Sequence, residues 1–419
     1  MSSSVAASAR KPALGFIFVT VVLAVLGFGL LIPVLPGLVT QFRGNDVSSG
    51  AHSYVVLVSV YAFMQFFGSP ILGSLSDRFG RRKVILIALA GSALDFVVMA
   101  LAPTLSILFV ARMIGGLTAG LLSTANAYVA DVTPPEKRAQ GFGMIGAAFG
   151  LGFIIGPLIG GLLGSVDLRL PFWVAAGCSA LNWLYGFFVL PESLAPENRR
   201  DFSWKRANPI GAVMALQRFP AVLGLAEAYF ILTLAQMMLF SIWALYTTHR
   251  YHWDPKHVGL SLMLVGVTSA IVQAGLAKRV IGRIGDVRGV ILGLLLSVAA
   301  QILYGLATQG WMVYAIVLVG SFAGIAGPAM QSYITKHVPA NEQGAVQGVY
   351  SGLASLAGIP GPLLSGWSFA WAVRPGQPEW LSGISFFIAA ALVLLSLGLA
   401  IRSFRKDYGT PAPAAPVAG

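Results

Sequence analysis

Apolar residues occur along this chain in long unbroken runs, separated by short polar stretches. Twelve runs are long enough for a helix to cross the roughly 30 Å of hydrocarbon in a bilayer. They lie near Ala13 to Val39, Tyr54 to Leu75, Val84 to Ala102, Leu105 to Ala130, Ala139 to Gly164, Pro171 to Leu190, Ala221 to Thr248, Val258 to Ala277, Val290 to Thr308, Trp311 to Ile334, Ala345 to Trp371 and Leu381 to Ile401. The pattern predicts an all-α integral membrane protein of twelve transmembrane helices. The longest interior polar stretch, 191–220, divides them six and six and reads as a linker between a bundle over 13–190 and another over 221–402. Residues 1–12 and 403–419 are expected to be disordered.

The division coincides with an internal repeat. At an offset of 205 residues, Arg78 and Gly80 correspond to Arg283 and Gly285, Tyr128 to Tyr333, Pro134 to Pro339 and Gly143 to Gly348. The pair Gly156-Pro157 corresponds to Gly361-Pro362, and Gly161 to Gly366. One offset held across helices and loops predicts two copies of a six-helix unit, with a substrate site near the midplane where they meet. The repeat fails at Asp77, Arg81 and Asp131, which correspond to Gly282, Asp286 and Lys336. The charged machinery of that face is therefore expected in the first half alone.

Composition agrees with the pattern. The 419 residues are 57% hydrophobic and 10% charged, against about 25% charged in soluble domains. The net charge of +12 does not imply a nucleic-acid partner, because no basic soluble face or binding module accompanies it. Of the 27 Lys and Arg residues, 21 fall in alternate loops and the termini, 5 fall on the opposite side, and Arg112 lies within a run. This asymmetry predicts that both termini are cytoplasmic. Cys178 is the one cysteine, so no intrachain disulfide forms. The first run has full span length rather than that of a cleavable signal.

The turn after the second run reads Gly73-Ser-Leu-Ser-Asp77-Arg78-Phe-Gly80-Arg81-Arg82-Lys83. Its glycines permit a tight reversal, and its charges are too costly to leave in hydrocarbon. The spacing resembles the loop between helices 2 and 3 of the major facilitator superfamily of secondary transporters. That resemblance implies that Asp77 faces the start of the eleventh helix and that Arg81 pairs with Asp131 at the end of the fourth. The group Gly73, Asp77, Gly80, Arg81 and Asp131 would then latch the inner face shut. In the fifth run Gly152, Gly156, Pro157, Gly160 and Gly161 look like the antiporter signature of drug/proton exchangers. Glycines at this spacing also allow close helix packing.

Ionisable groups inside the runs are few and so point to function. Asp95 lies about 11 residues beyond Val84, roughly 17 Å deep, and Arg112 about 7 residues from the opposite end of its run, roughly 10 Å deep. They are expected to meet, as a static or a proton-responsive pair. Glu227, about 6 residues into the seventh run, is the other candidate for proton coupling, unless it reaches the inner surface.

The run Gly27 to Pro36, the turn above, Asp95, Ala127-Tyr128-Val-Ala-Asp131, Pro191-Glu192-Ser193 and His252-Trp253-Asp254 also resemble the tetracycline efflux pumps, over about Leu14 to Arg402. Those pumps exchange a metal-tetracycline cation for a proton and carry acids in helices 1, 3 and 9. Here Asp95 matches the third-helix acid, while the first- and ninth-helix positions hold Ala24 and Ser297. By the same analogy the cavity is lined by uncharged groups, with Gln65, Asn126, Tyr229, Gln236, Trp243, Gln301 and Gln331 as candidates. Such a lining suits amphiphilic, drug-sized molecules.

The three histidines His249, His252 and His257 lack the partners of a metal site. No phosphate-binding loop or nucleophile-base set occurs, and no cofactor is expected. Together these features lead to the expectation of a monomeric, proton-coupled drug exporter of a bacterial inner membrane. An exporter of a metabolite or sugar, or a non-transporting sensor or scaffold, remains open.

Overall fold

The computed structural model describes residues 10–204, 220–338 and 343–407, and among them helix is the only regular structure. In the first half, span 1 is Arg10–Leu31, span 2 Val47–Phe79 and span 3 Arg81–Leu101. Span 4 is the pair Leu105–Leu117 and Leu121–Val132, span 5 Arg138–Gly164 and span 6 Leu170–Val189. In the second half, span 7 is Pro220–Tyr251. Span 8 runs from Pro255–Ile271 through a π turn, Val272–Leu276, into Ala277–Ile284. Span 9 is Asp286–Leu306, span 10 joins Gly310–Gly320 to Ala326–His337, span 11 joins Gln343–Ala357 to Pro360–Ala372, and span 12 is Ile384–Asp407.

Among the described residues, eleven of these crossings are long and apolar enough to span a membrane; span 4 is interrupted at 118–120 and the remaining crossing, span 11, at Gly358 and Ile359. The fold is the expected all-α assembly of twelve transmembrane helices in two six-helix bundles. Several boundaries differ from expectation for local reasons. The first run breaks at Ile32–Val34, and a separate helix, Leu35–Phe42, follows. Pro33 and Pro36 have no N–H to continue the ladder. Span 2 starts at Val47 rather than Tyr54, because Asp46 accepts hydrogen bonds from the backbone N–H groups of Ser48 and Ser49 at 3.2 and 3.1 Å. This cap offsets the polar first turn of the helix. Span 12 continues to Asp407, past the expected Ile401. Of the segments expected to be disordered, 10–12 and 403–407 are helical, while 1–9 and 408–419 lie outside the described residues, as does half of the linker, 205–219.

The internal repeat is visible in the backbone. Gly80 and Gly285 have φ of +100° and +83° and start spans 3 and 9 from the same left-handed turn. A side chain at Gly156 of span 5 would meet the Gly29 backbone of span 1 at 2.9 Å. In the other half, one at Gly361 of span 11 would meet Leu234 of span 7, the residue 205 positions beyond Gly29.

The apolar cores differ between the two ends of the molecule. At the basic end, which carries Arg81, Arg82 and Lys83, each half has a cluster of its own. Phe16, Ile85 and Tyr128 belong to the first, and Leu225, Leu294 and Phe404 to the second. At the far end a single cluster contains both halves, joining Leu30, Tyr54 and Phe172 to Trp243, Tyr246 and Phe369. Cross-half contacts follow the same division. Ser48 Oγ donates to Ala370 O at 2.8 Å and Ser59 Oγ to Ile359 O at 3.0 Å, both on the seam between spans 2 and 11. On the opposite seam, Gly161 of span 5 leaves no room for a side chain against Pro255 and Gly259 of span 8. The halves therefore share one core at the far end and keep separate cores toward the basic end, where the basic-end piece of span 11 still packs against span 2.

Candidate functional site

Asp95 and Arg112 meet as their depths predict. Spans 3 and 4 are consecutive and antiparallel, and Arg112 Nη2 donates to Asp95 Oδ2 in a buried ion pair. Asp95 is 2% exposed and Arg112 4%, so the pair lies in the packed interior of the first half. Two neighbours that sequence reasoning missed build the pocket. The Arg112 guanidinium stands 5.0 Å from the ring centroid of Tyr61 on span 2. Gly115, one turn along from Arg112, lies against the Asp95 carboxylate, where any side chain would overlap it. Asp95 Oδ1 and Arg112 Nε have no hydrogen-bond partner. The carboxylate thus balances one cation and keeps one oxygen without a hydrogen bond.

The charged residues of the expected latch meet one another within the first half. Arg81 is buried, with its guanidinium 2.6 Å from Asp77, 3.1 Å from Asp131 and 2.5 Å from Ser76 Oγ. The expected approach of Asp77 to the start of span 11 falls partly outside the described residues; among them, the ion-pair partner of Asp77 is Arg81. Gly80 is needed for its backbone and for space, since a side chain there would strike Glu192. Gly73 has nothing within 4 Å of an added Cβ.

The first part of the linker is a strap docked onto this latch. Glu192 accepts from the backbone N–H groups of Arg81 and Arg82 at 2.7 and 3.3 Å, so it caps the start of span 3, and also from Ser193 and Leu194. A carboxylate at a helix N-terminus meets both unpaired N–H groups and the positive end of the helix dipole. Ser193 Oγ donates to Asp131 at 3.1 Å, and Tyr128 OH donates to Pro191 O at 3.1 Å. The N–H of Arg200 reaches Asp77 O at 3.0 Å. A cavity of about 550 Å³ lies between strap and latch, lined by Asp77, Arg81, Asp131, Glu197, Arg199 and Arg200 among others.

The second half corrects the expectation that the charged machinery is confined to the first. Lys336 Nζ lies 2.5 Å from Asp286 Oδ2, and these residues occupy the repeat positions of Asp131 and Arg81. The ion pair is retained with its charges exchanged. A comparison of residue types reads this as a failed repeat, because it scores identities and not the product of two charges.

The residues of the antiporter signature divide their contacts between two neighbours. Gly152, Gly156 and Gly160 lie at four-residue spacing against the span 1 backbone at Val22, Leu26 and Leu30, while Gly161 and the Pro157 carbonyl lie against Gly259 of span 8. Span 5 remains one helix through Pro157. The same stretch thus packs its own half and forms the far-end seam.

The substrate candidates divide by exposure. Asn126, Gln236 and Gln331 are exposed, and Gln65 and Tyr229 half-buried. Tyr229 meets Tyr350 edge-on, with centroids 4.6 Å apart. Trp243 and Gln301 do not line a free surface, contrary to expectation. Trp243 is 3% exposed in the far-end cluster and donates to Ser261 Oγ at 2.9 Å, and Gln301 is equally buried in span 9. Interior position along a span does not reveal which face a side chain occupies. Glu227 is exposed and has no hydrogen bond or ion pair among the described residues. Of the histidines, His257 Nδ1 lies 2.7 Å from Asp254, the N-cap of span 8. Partial burial works to raise the Asp254 carboxyl, but the His257 hydrogen bonds prevail and hold it below its ordinary value.

Two repeated six-helix halves, joined by a shared core at one end and keeping separate cores at the other, have the architecture of a secondary transporter. The chain belongs to the Major Facilitator Superfamily, whose family model matches residues 17–362 and, in an overlapping second match, 225–419. It is 37% identical over 378 residues to the class C tetracycline resistance protein of Escherichia coli, covering 90% of this chain and 93% of that one. Multidrug resistance protein 2 of Bacillus subtilis is 28% identical over 386 residues, covering 90% and 91%. Among solved structures, the human organic anion transporter MFSD10 superposes with a TM-score of 0.70 at 27% identity, over 93% of this chain and 99% of that one. A bacterial homologue of the lysosomal transporter Spinster, in an inward-facing and unoccupied conformation, gives 0.77 at 16% identity, over 96% and 99%. The chain is a multi-pass membrane transporter and not an enzyme.

Proposed function

We propose that this transporter is a proton-coupled exporter of amphiphilic drugs, tetracycline-like compounds among them, acting as a monomer in a bacterial inner membrane with both termini cytoplasmic. The observation that carries the reading is the buried Asp95–Arg112 pair with its free carboxylate oxygen, in a chain 37% identical to a tetracycline resistance protein. With the basic end taken as cytoplasmic, the arrangement described above faces inward. A drug would enter from the cytoplasm or inner leaflet and find apolar walls with the amides of Gln236, Gln331 and Asn126 to orient it. Rocking of the halves would then part the far-end seam and bring the two inner faces together, with Asp77, Arg81 and Asp131 holding them closed. A proton arriving at Asp95 would cancel the charge facing Arg112 and free its guanidinium to repack. That change gives the gradient something to act on.

The test is drug accumulation in cells lacking their own pumps, with and without an uncoupler, alongside proton release on drug addition to the purified protein. Wild type should lower accumulation in an uncoupler-sensitive way. Asp95→Asn should lose gradient-driven export while still binding drug. Full export by that variant would move coupling away from Asp95, and no extrusion of any compound by wild type would end the exporter reading.

A further inference from the structure

We propose that Glu227 and the crevice around it form a membrane-accessible site for lipophilic organic monocations. Glu227 lies seven residues into span 7, which puts it about 10 Å along the helix from its basic end. At this depth an unpartnered carboxylate is costly and calls for a counter-charge. Among the described residues none is supplied: Glu227 is exposed and makes no ion pair or hydrogen bond there.

The direction of the side chain separates it from the midplane. Gln236 is nine residues on, and at about 100° per residue that is half a turn round the helix. The Gln236 face leads through Phe240, one turn further, to Phe153 of the first half, with ring centroids 5.5 Å apart. Glu227 therefore points away from the face that span 7 presents to the other half. It opens instead into a crevice of about 320 Å³ walled by Ala226, Phe230, Ile231, Leu353 and Leu399, from spans 7, 11 and 12. The crevice lies beside the break in span 11: both of its pieces pack against spans 7 and 2, and the far-end piece packs against span 12 as well.

The chemistry selects the occupant. A single carboxylate on apolar walls offers a metal ion too few oxygens, and it disfavours anions. An organic cation with its charge spread under apolar groups satisfies both parts, with the carboxylate as counter-ion and the Phe230 ring available to its positive face. The volume is at the lower end of the range for small-molecule sites. Treating the cation as cargo taken from the inner leaflet rests on the exporter reading; the site itself does not.

The experiment is equilibrium binding of tetraphenylphosphonium to the full-length protein in nanodiscs of zwitterionic lipid. Tetraphenylborate, an anion of the same shape, is the control. Wild type should bind the cation saturably and the anion not at all. Glu227→Gln should weaken cation binding about tenfold, equivalent to roughly 1.4 kcal/mol, Glu227→Asp should retain most of it, and Leu353→Trp, which fills the crevice, should abolish it. Should Leu353→Trp fail to fold, the Gln and Asp variants decide alone. Unchanged binding in Glu227→Gln, or equal binding of the borate, overturns the proposal. So does a Glu227→Gln variant that binds the cation normally but no longer releases protons on drug addition, since Glu227 would then serve coupling. Saturable cation binding by a wild type that exports nothing would support the site and sink the exporter reading; export without such binding would do the reverse.

Discussion

Removing one partner of the Asp95–Arg112 pair tests whether the two side chains act as a unit. Arg112→Leu leaves a carboxylate that is 2% exposed without its counter-charge, and Tyr61 without its cation. Breaking a buried ion pair from one side costs about 3–5 kcal/mol, whereas exchanging both partners for apolar groups is often near neutral. Arg112→Leu should therefore lower stability by about 3 kcal/mol, and the double variant Asp95→Leu/Arg112→Leu should recover most of that loss. Thermal unfolding in detergent, followed by tryptophan fluorescence, would measure the cycle. Costs that simply add would show that the pair does not exist as described. The double variant also separates structure from coupling, because a folded protein lacking both charges should not be driven by a proton gradient. Gradient-driven export by that protein would reduce the pair to a packing element.

Three further outcomes follow from the geometry. Gly160→Ala places a methyl group 2.7 Å from the Leu30 Cα and should cost about 1–3 kcal/mol in an unfolding assay, while Gly143→Ala, with nothing within 4 Å, should stay within about 0.5 kcal/mol. Asp286→Lys sets two cations together and should impair transport, and adding Lys336→Asp, which restores an ion pair in the orientation of the first half, should rescue it; failure of rescue with both proteins folded would deny the exchanged pair a role. The Ser49 hydrogen bonds hold the Asp46 carboxyl below its ordinary value of 3.8, so its contribution to stability is complete above that value and fades as pH falls through the lower folded-state value. The stability gap between wild type and Asp46→Ala should accordingly be open at about pH 5 and narrow as pH falls through the lowered folded-state value.

Much of this architecture is legible before any coordinates. Span length follows from hydropathy, and the 205-residue offset anticipates that Gly80 and Gly285 share one turn. Counting residues inward from each end of spans 3 and 4 brings Asp95 to Arg112, because antiparallel neighbours convert position into depth. Other features depend on partners that a sequence does not display. Glu192 acts on backbone N–H groups, which every residue carries, so its capping role leaves no mark beyond a short Pro-Glu-Ser motif. Asp286 and Lys336 conserve a charge product while reversing both residues. The burial of Trp243 and Gln301 depends on which way a face turns within a bundle, and in hydrocarbon an apolar face toward lipid looks the same as one toward a neighbour.

The two ends of the molecule are held by different forces, and this bears on how temperature acts. The far-end seam is one aromatic and aliphatic cluster shared by both halves, whereas at the basic end each half keeps a private core that need not be disturbed when the halves move. Parting the seam wets apolar surface and so carries a positive heat capacity. Cooling weakens that kind of adhesion, so chilling should ease separation of the far-end seam.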